Sequence, residues 1–251
     1  NHSAEEAVKK FVMDFSIPLI TTYKAKGILP EDNSLSLGSA GLSPLADQYL
    51  LPLVHESDLI IAAGYDPIEM RTGWRNPWGE TGKVIEFSAV PNTHYMHQAD
   101  LSFVGHIGEG LNTLRRGVSL GPVWKGDKPK NVRNQLKSIF SGKYEWGPEV
   151  VIETVREILP ANGVATVDSG AHRILLSQMW ECYEPRGLLQ STGLCTMGCA
   201  IPLAIGFQIA SPERPVVAFT GDAGLEMVLG ELATLRDLKL PVVIVVFVDE
   251  S

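Results

Sequence analysis

The chain has 251 residues, of which 45% are hydrophobic and 20% are charged, and its formal net charge is −8. This composition is typical of a globular protein of one or two domains. The negative charge argues against nucleic acid or an anionic membrane as the main partner, and no apolar run reaches the roughly 20 residues of a membrane-spanning helix. Residues 125–133 form the longest basic cluster, but acidic, proline and asparagine residues interrupt it, so we interpret it as a solvated linker.

Cys182, Cys195 and Cys199 are the only cysteines of the sequence. They are too few and odd in number for a disulfide framework, so we expect a reducing, cytoplasmic location. Cys195 and Cys199 could form one half of a zinc site, but no second Cys or His pair has matching spacing. The interpretation that we favour is small buried residues near a turn.

The two ends of the sequence suggest a piece of a longer protein. The first six residues are polar and lack the apolar segment of a signal peptide. The sequence does not begin with Met, and it ends at the site that its last strand predicts. We therefore expect a fragment.

The first half of the sequence alternates between helical and strand patterns. Ser3 and Glu6 form a capping-box pattern before an amphipathic helix, and Gly117 is a plausible cap at the end of the last helix. We predict, in order, a helix over residues 3–15, a strand over 17–22, a loop-rich segment over 27–45, a helix over 45–54, strands over 58–64, 83–88 and 101–104, and a helix over 108–116. This alternation predicts a doubly wound parallel sheet.

The second half begins with a stretch rich in Lys, Gly, Pro and Asn, which contains one plausible helix over residues 132–140. We then predict a helix over 148–159, a strand over 163–167, a helix over 173–182, a small-residue helix that ends at 210, and a strand over 216–220. The next predicted helix ends before Pro241, and its inner side carries Leu225, Val228, Leu229, Leu232 and Leu235. A final strand is predicted over 242–248, with both faces buried. The predicted fold class is α/β, with two doubly wound parallel-sheet domains at 1–117 and 147–251 and a linker at 118–146.

Asp222 and Asp249 each follow a predicted strand. Because a right-handed crossover makes the two strands parallel, both carboxylates should lie at the same edge of the sheet, where open α/β sheets bind ligands. Two carboxylates suit Mg²⁺, and the N–H groups of Ala223 and Gly224 at a helix N-terminus suit a phosphate. The alternative is that the Gly-Asp-Ala-Gly turn is a helix start with an Asp cap, since short glycine motifs have many false positives.

The stretch from Gly221 to Ser251 resembles the binding motif of thiamine-diphosphate enzymes of the acetolactate synthase type. That motif is Gly-Asp-Gly, followed about 27 residues after the Asp by an Asn; here Ala223 and Asp249 occupy the third motif position and the Asn position. The resemblance implies that the cofactor is bound by Gly221, Asp222, Ala223 and Gly224. It also implies that Mg²⁺ is held by Asp222, Asp249 and the backbone carbonyl of Ser251.

Two further segments carry the same resemblance. Residues 168–173 stand where the family has Gly-Gln-His-Gln, which implies that the backbone of Ala171 and the ring of His172 contact the diphosphate; the alternative is a histidine in a surface loop. Residues 192–198 resemble the segment that holds the aminopyrimidine. There Met197 would wedge between the cofactor rings and Cys195 would offer its carbonyl to the 4′-amino group, whereas the alternative for Met197 is a core residue at the start of a helix.

The first domain resembles the central domain of the same family. Residues 17–22, 24–30 and 35–41 follow its pattern, and the family's first strand is expected just before Asn1, so the sequence lacks it. Some members hold FAD in this domain. The acidic pattern of those members is replaced here by residues 88–91, which argues against FAD.

The resemblance implies decarboxylation of a small 2-oxo acid, followed by protonation or by carboligation to an acceptor, as in a lyase or transferase. It implies a homodimer or homotetramer in which a pyrimidine domain, absent from this sequence, supplies an activating Glu from a second subunit. No catalytic residue is therefore assigned within this chain, and we expect these residues alone to be inactive. The alternative is a non-catalytic nucleotide- or diphosphate-binding regulatory relative with drifted site residues, namely Ala171, Cys195, Ala223 and Asp249.

Overall fold

The computed structural model describes residues 4–119, 124, 126–141 and 146–248. They separate into two compact units, Asn1–Ser138 and Ile139–Ser251. In both units every described pair of strands is parallel, which confirms the predicted α/β class with parallel sheets. The exact limits of the linker stay a prediction.

The described residues of the first unit form ten elements, the last of which runs into the boundary between the units. They are α1 (Glu5–Phe15), β1 (Leu19–Thr22), β2 (Ser36–Ala40), α2 (Pro44–His55), β3 (Leu59–Ala63), a 3-10 helix (Thr72–Trp74), β4 (Lys83–Ser88), β5 (Leu101–Val104), α3 (Ile107–Gly117) and α4 (Lys128–Ile139). The strands form a two-stranded sheet, β1-β2, and a three-stranded sheet, β3-β4-β5. One apolar cluster, built on Val8, Phe11 and Val12 of α1, packs against residues of β1, β3 and β4 and therefore covers both sheets.

Strand β2 lies in the segment that the sequence predicted to be loop, so that prediction was wrong. Four of its five residues are small and its sequence shows no strand period, but Ser36, Ser39 and Ala40 align with residues of β1, and four of the five are buried. Pairing with β1, rather than the local pattern, makes this segment a strand. The predicted cap Ser3 lies outside the described residues, and α1 has Ala4 at its N-cap position without a side-chain cap.

Most of the described part of the basic cluster at residues 125–133 is helical, and one of its side chains is held by the first unit. Lys128 to Arg133 lie in α4, and Arg133 donates hydrogen bonds to the carbonyls of Glu31, Asp32 and Ser36 at 2.9–3.3 Å. Next to these carbonyls, Lys26 Nζ donates to both carboxylate oxygens of Glu31 at 2.8 Å. Both side chains of this ion pair are almost fully buried.

The second unit is a four-stranded sheet between two layers of helices. Its elements are α5 (Pro148–Ile158), β6 (Val164–Val167), α6 (Ala171–Met179), β7 (Leu188–Gln190), α7 (Ala200–Ala210), β8 (Val216–Gly221), α8 (Asp222–Met227), α9 (Glu231–Leu238) and β9 (Val243–Phe247), and the strand order is β7-β6-β8-β9. Alternate residues of β8 point to opposite faces. Val217 and Phe219 join a core with α5 and α6, whereas Val216 and Ala218 join a core with α7 and α9.

Three predictions for this unit were wrong. The predicted single helix is divided into α8 and α9, and Leu229 and Leu232 are exposed instead of turned inward. Helix α9 ends at Leu238, before Pro241, because Lys239 takes the left-handed conformation. Strand β9 packs with both faces, Val245 and Phe247 against one core and Ile244 against the other, but none of its residues is fully buried as predicted. Strand β7 was not predicted. No helix in the described ranges is long and apolar enough to cross a membrane.

Candidate functional site

The candidate site lies where the parallel strands of the second unit end. Val167 at the end of β6 aligns with Phe219, and Gly221 at the end of β8 aligns with Phe247 of β9. The segments that follow these strands therefore begin at one edge of the sheet. Asp249 and Ser251, two of the three predicted metal ligands, lie outside the described residues, so the metal ligand set stays a prediction.

Asp222 is the first residue of α8, and Gly221 occupies the N-cap position in an extended conformation. Asp222 Oδ1 accepts a hydrogen bond from the N–H of Ala223, its direct neighbour, at 2.7 Å. An N-cap side chain would instead accept from a residue two or three positions further on, so Asp222 is not the helix cap of the alternative interpretation. The N–H of Ala223, which the sequence assigned to a phosphate, is engaged by this carboxylate.

His172 is buried, with 9% of its surface exposed, so it is not a histidine in a surface loop. Its ring stacks on Phe247 with centroids 5.6 Å apart. A β-carbon on Gly170 would lie 2.6 Å from the ring and one on Gly221 would lie 3.5 Å from it, so both glycines leave room for the imidazole.

The imidazole of His172 also has unmet bonding capacity. Its Nε2 atom is buried and has no hydrogen-bond partner among the described residues. Burial disfavours the charged ring and lowers the pKa of His172 below its usual 6.5, although the charge of Asp168 opposes this. The neighbouring Ser169 Oγ is a second buried polar atom without a partner in the described part of the chain. Because buried polar atoms are normally satisfied, this pair indicates a place for a polar ligand.

Helix α6 begins at Ala171, whose surface is exposed. Its N-cap residue, Gly170, provides no side-chain hydrogen bond. The first N–H groups of a helix have no partner within the helix, and they favour an anion. This N-terminus therefore suits the phosphate contact that was predicted for the backbone of Ala171.

The segment before α7 approaches the turn after β8. A β-carbon on Gly198 would lie 2.9 Å from Val228 Cγ1 and 3.3 Å from the carbonyl oxygen of Gly224, and Gly198 has a φ of +74°. Met197 is 40% exposed, so it is not the core residue of the alternative interpretation. Cys195 has a φ of +49°, in the left-handed region that favours the glycine of the family's motif.

One of the two neighbouring cysteines, Cys199, is bonded within the protein. The Sγ atom of Cys199 donates to the carbonyl of Val167 at 3.6 Å, and burial raises the pKa of this thiol to about 11, so that it stays protonated. A metal ligand must be the thiolate. In the described ranges no group of three or more His, Cys, Asp or Glu side chains could hold a metal ion.

Asp168 is a site residue whose role sequence reasoning missed. It follows β6 and is only 1% exposed. Its Oδ1 accepts from the N–H of Ala200 at 2.7 Å, and its Oδ2 accepts from the hydroxyl of Thr220 at 2.5 Å. An aspartate at the end of an apolar strand was visible in the sequence, but nothing in the sequence named its partners.

Comparisons with known proteins match both units. The model of the "Thiamine pyrophosphate enzyme, central domain" matches residues 1–114, and that of the "Thiamine pyrophosphate enzyme, C-terminal TPP binding domain" matches residues 168–251.

The chain is similar to several curated acetolactate synthases. It is 28% identical to the acetolactate synthase of Bacillus subtilis, over 99% of this chain and 45% of that protein. It is 30% identical to the acetolactate synthase large subunit of Parasynechococcus marenigrum, over 97% of this chain and 40% of that protein. The acetolactate synthase isozyme 1 large subunit of Escherichia coli is 28% identical over 99% of this chain and 44% of its own length. The chain thus spans less than half the length of these relatives.

Proposed function

We propose that the chain, which belongs to the thiamine pyrophosphate enzymes, is part of an acetolactate synthase-like enzyme. It contains the central domain and the C-terminal cofactor-binding domain of that family. The proposed reaction is decarboxylation of a small 2-oxo acid that depends on thiamine diphosphate and Mg²⁺, followed by protonation or carboligation. The observation that carries the proposal is the buried imidazole of His172, whose Nε2 atom has no hydrogen-bond partner within the described ranges, at the same edge of the sheet as the carboxylate of Asp222.

The residues present fit a ligand that combines phosphate with a hard cation. His172 Nε2 and Ser169 Oγ lack partners among the described residues, and the N-terminus of α6 lacks a side-chain cap. Asp222 offers a carboxylate, and Mg²⁺ in phosphate complexes commonly takes only one or two protein carboxylates. This donor set supports a diphosphate held through a metal ion.

Each site residue has a proposed role. Asp222, with Asp249 and the carbonyl of Ser251, would hold Mg²⁺. The backbone of Ala171 and the neutral ring of His172 would bind the diphosphate. Gly221, Ala223 and Gly224 would contact the cofactor through the backbone of the turn after β8, which the small residues Gly221 and Gly224 let pack closely against His172 and Asp168.

The segment before α7 would hold the other end of the cofactor. Cys195 would offer its carbonyl to the aminopyrimidine, and Met197 would wedge between the two rings. Thiamine diphosphate supplies the carbanion chemistry when bound, and the protein supplies binding and orientation. The exposure of Met197 supports a contact with a ligand rather than with the core.

The rest of the proposed enzyme includes groups from other segments. A pyrimidine domain of a second subunit would supply the activating Glu, in a homodimer or homotetramer located in the cytoplasm. Because the activating Glu would come from that domain, residues 1–251 alone would be inactive. The expectation that the first unit does not bind FAD remains a prediction.

We also propose that one more strand completes the first unit between β1 and β3. Doubly wound dinucleotide-binding sheets have the strand order 3-2-1-4-5-6. In this unit β2 and β1 correspond to strands 3 and 2 of that order, and β3, β4 and β5 correspond to strands 4, 5 and 6. The strand that corresponds to number 1 would lie between β1 and β3. The apolar cluster that covers both sheets supports a single layer, and α1 would be the helix that follows the added strand.

Calorimetric titration of thiamine diphosphate into the full-length protein tests the proposal. We expect binding with Mg²⁺, loss of binding with a chelator, and at least about hundredfold weaker binding in Asp222→Ala, since the metal would lose a carboxylate ligand. The matched control is Asp237→Ala, an exposed carboxylate on α9 of the same unit, which should bind as the wild type does. A folded protein that does not bind the cofactor under either condition would contradict the proposal and leave the regulatory alternative. Binding would justify assays with pyruvate and other 2-oxo acids.

A further inference from the structure

Asp168 joins segments of the second unit that are far apart in the sequence. Ala200 and Thr220, which donate hydrogen bonds to its carboxylate, are 32 and 52 positions away. Asp168 and Thr220 are essentially fully buried. A buried carboxylate is costly unless it is hydrogen-bonded, so these bonds are strongly held in the folded protein.

The bond to Ala200 fixes the start of α7. Ala200 is the first residue of this helix, and Cys199 at the N-cap position makes no side-chain capping bond. The carboxylate of Asp168 takes the place of the missing cap, and its charge is favoured at a helix N-terminus. Because Cys195 and Met197 lie directly before α7, their position depends on where this helix begins.

The bond to Thr220 fixes the turn after β8. The Thr220 hydroxyl lies 2.5 Å from Asp168 Oδ2 and 3.1 Å from the carbonyl oxygen of Gly221. Because the hydroxyl has a single proton, it donates its hydrogen bond mainly to the nearer acceptor, the carboxylate. The same Oδ2 atom would be 2.2 Å from a β-carbon on Gly224. The carboxylate therefore contacts the turn at both ends of the segment 220–224.

We propose that Asp168 is the positioning residue of the cofactor site. It sets the spacing between three segments: the start of α6 with His172, the segment before α7 with Met197, and the turn with Asp222. Asp168 acts through the backbone of these segments and does not itself contact the cofactor. This inference rests on the proposed function for the identity of the ligand, but its structural part can be tested without the ligand.

The first test measures the affinity of the full-length protein for thiamine diphosphate in the presence of Mg²⁺. Asp168→Ala should raise the Kd at least about tenfold, because losing hydrogen bonds to a buried charged group corresponds to a change of that size or more. Asp168→Asn should stay within about threefold of the wild type, because the amide oxygen still accepts from Ala200 and the amide nitrogen can donate to Thr220.

A matched control separates positioning from a general loss of stability. Val217→Ala removes two methyl groups from a fully buried residue of β8 and leaves the polar contacts of the site intact. It should lower the melting temperature while the Kd changes less than about twofold, provided that binding is measured where all variants are folded. The proposal is overturned if Asp168→Ala binds within about twofold of the wild type, or if Val217→Ala weakens binding as much as Asp168→Ala does.

Hydrogen–deuterium exchange gives a second readout that needs no cofactor. In Asp168→Ala, peptides covering residues 195–200 and 220–225 should exchange at least about fivefold faster than in the wild type and in Val217→Ala, because local opening there is no longer opposed. Equal exchange in the two variants would overturn the positioning role. If the wild type does not bind the cofactor, the proposed function fails, while the exchange experiment still decides the role of Asp168.

Discussion

Gly224 lies so close to Asp168 that a β-carbon on the glycine would be 2.2 Å from the Oδ2 atom of the aspartate. The same β-carbon would be 2.9 Å from the Thr220 hydroxyl, so Gly224→Ala must displace the turn or the buried carboxylate. We expect a loss of about 1–3 kcal/mol in the free energy of unfolding, measured by urea denaturation.

Gly230→Ala is the control for this substitution. A β-carbon there would meet no atom within 4 Å, and the backbone is already helical, with φ −58° and ψ −29°. We expect a change of less than about 1 kcal/mol, because the lower entropy of the unfolded chain is offset by the loss of a residue that is preferred at the N-cap position of α9. Equal losses at Gly224 and Gly230 would contradict the close approach to Asp168.

The buried ring of His172 makes stability depend on pH. Its pKa in the folded protein is below the usual 6.5 because burial disfavours the charged form. As the pH falls through 6.5, the unfolded chain therefore binds the proton first, and the folded state loses stability until the pH is below the folded pKa. Urea denaturation between pH 7 and pH 5 should show a smaller loss for His172→Gln than for the wild type. His55→Gln, at the exposed end of α2, should follow the wild-type curve, and parallel curves for all three proteins would contradict this prediction.

Met197 separates the proposed ligand contact from a role in the core. Because it is 40% exposed, Met197→Ala should change the free energy of unfolding by less than about 1 kcal/mol. Its affinity for thiamine diphosphate should nevertheless fall about tenfold, since a side chain that packs between two rings of a ligand contributes binding energy of that order. Met13→Ala in α1, at 46% exposure, is a control that should leave the affinity unchanged. Normal cofactor affinity in Met197→Ala would contradict the wedge role.

The ion pair between Lys26 and Glu31 gives a prediction for the first unit. Lys26→Met would remove the cation that lies against the buried carboxylate of Glu31, so we expect a loss of about 3–5 kcal/mol. Adding Glu31→Leu should recover most of that loss, because the unpaired charge is removed. A double-mutant cycle by urea denaturation measures this coupling, and simple addition of the two single losses would show that the pair is not coupled.

Much of the fold follows from local patterns. Strands β4 and β5 have the bounds that the sequence predicted, because each is a short segment rich in apolar β-branched and aromatic residues. Strands β2 and β7 were missed because they depend on pairing with β1 and β6, and such pairing is not visible in a local window. The break between α8 and α9 was missed because the apolar spacing runs across it, although Leu229 and Leu232 are exposed.

The candidate site was predictable only in part. Asp222 and His172 belong to short segments that could be compared with a known motif. The burial of His172 depends on Phe247 of another strand, and the contacts of Asp168 depend on Ala200 and Thr220. These relationships arise from tertiary packing, so the sequence around each residue contains no sign of them.

Strand β9 also makes the protein prone to aggregation. It has five consecutive apolar residues, most of them β-branched, Val243 on it is 62% exposed, and among the described strands only β8 pairs with it. An uncharged, β-branched edge of this kind is a template for intermolecular pairing. A polypeptide limited to these residues would therefore aggregate through β9 at high concentration, and a lysine at Val243 would counteract this without disturbing the core.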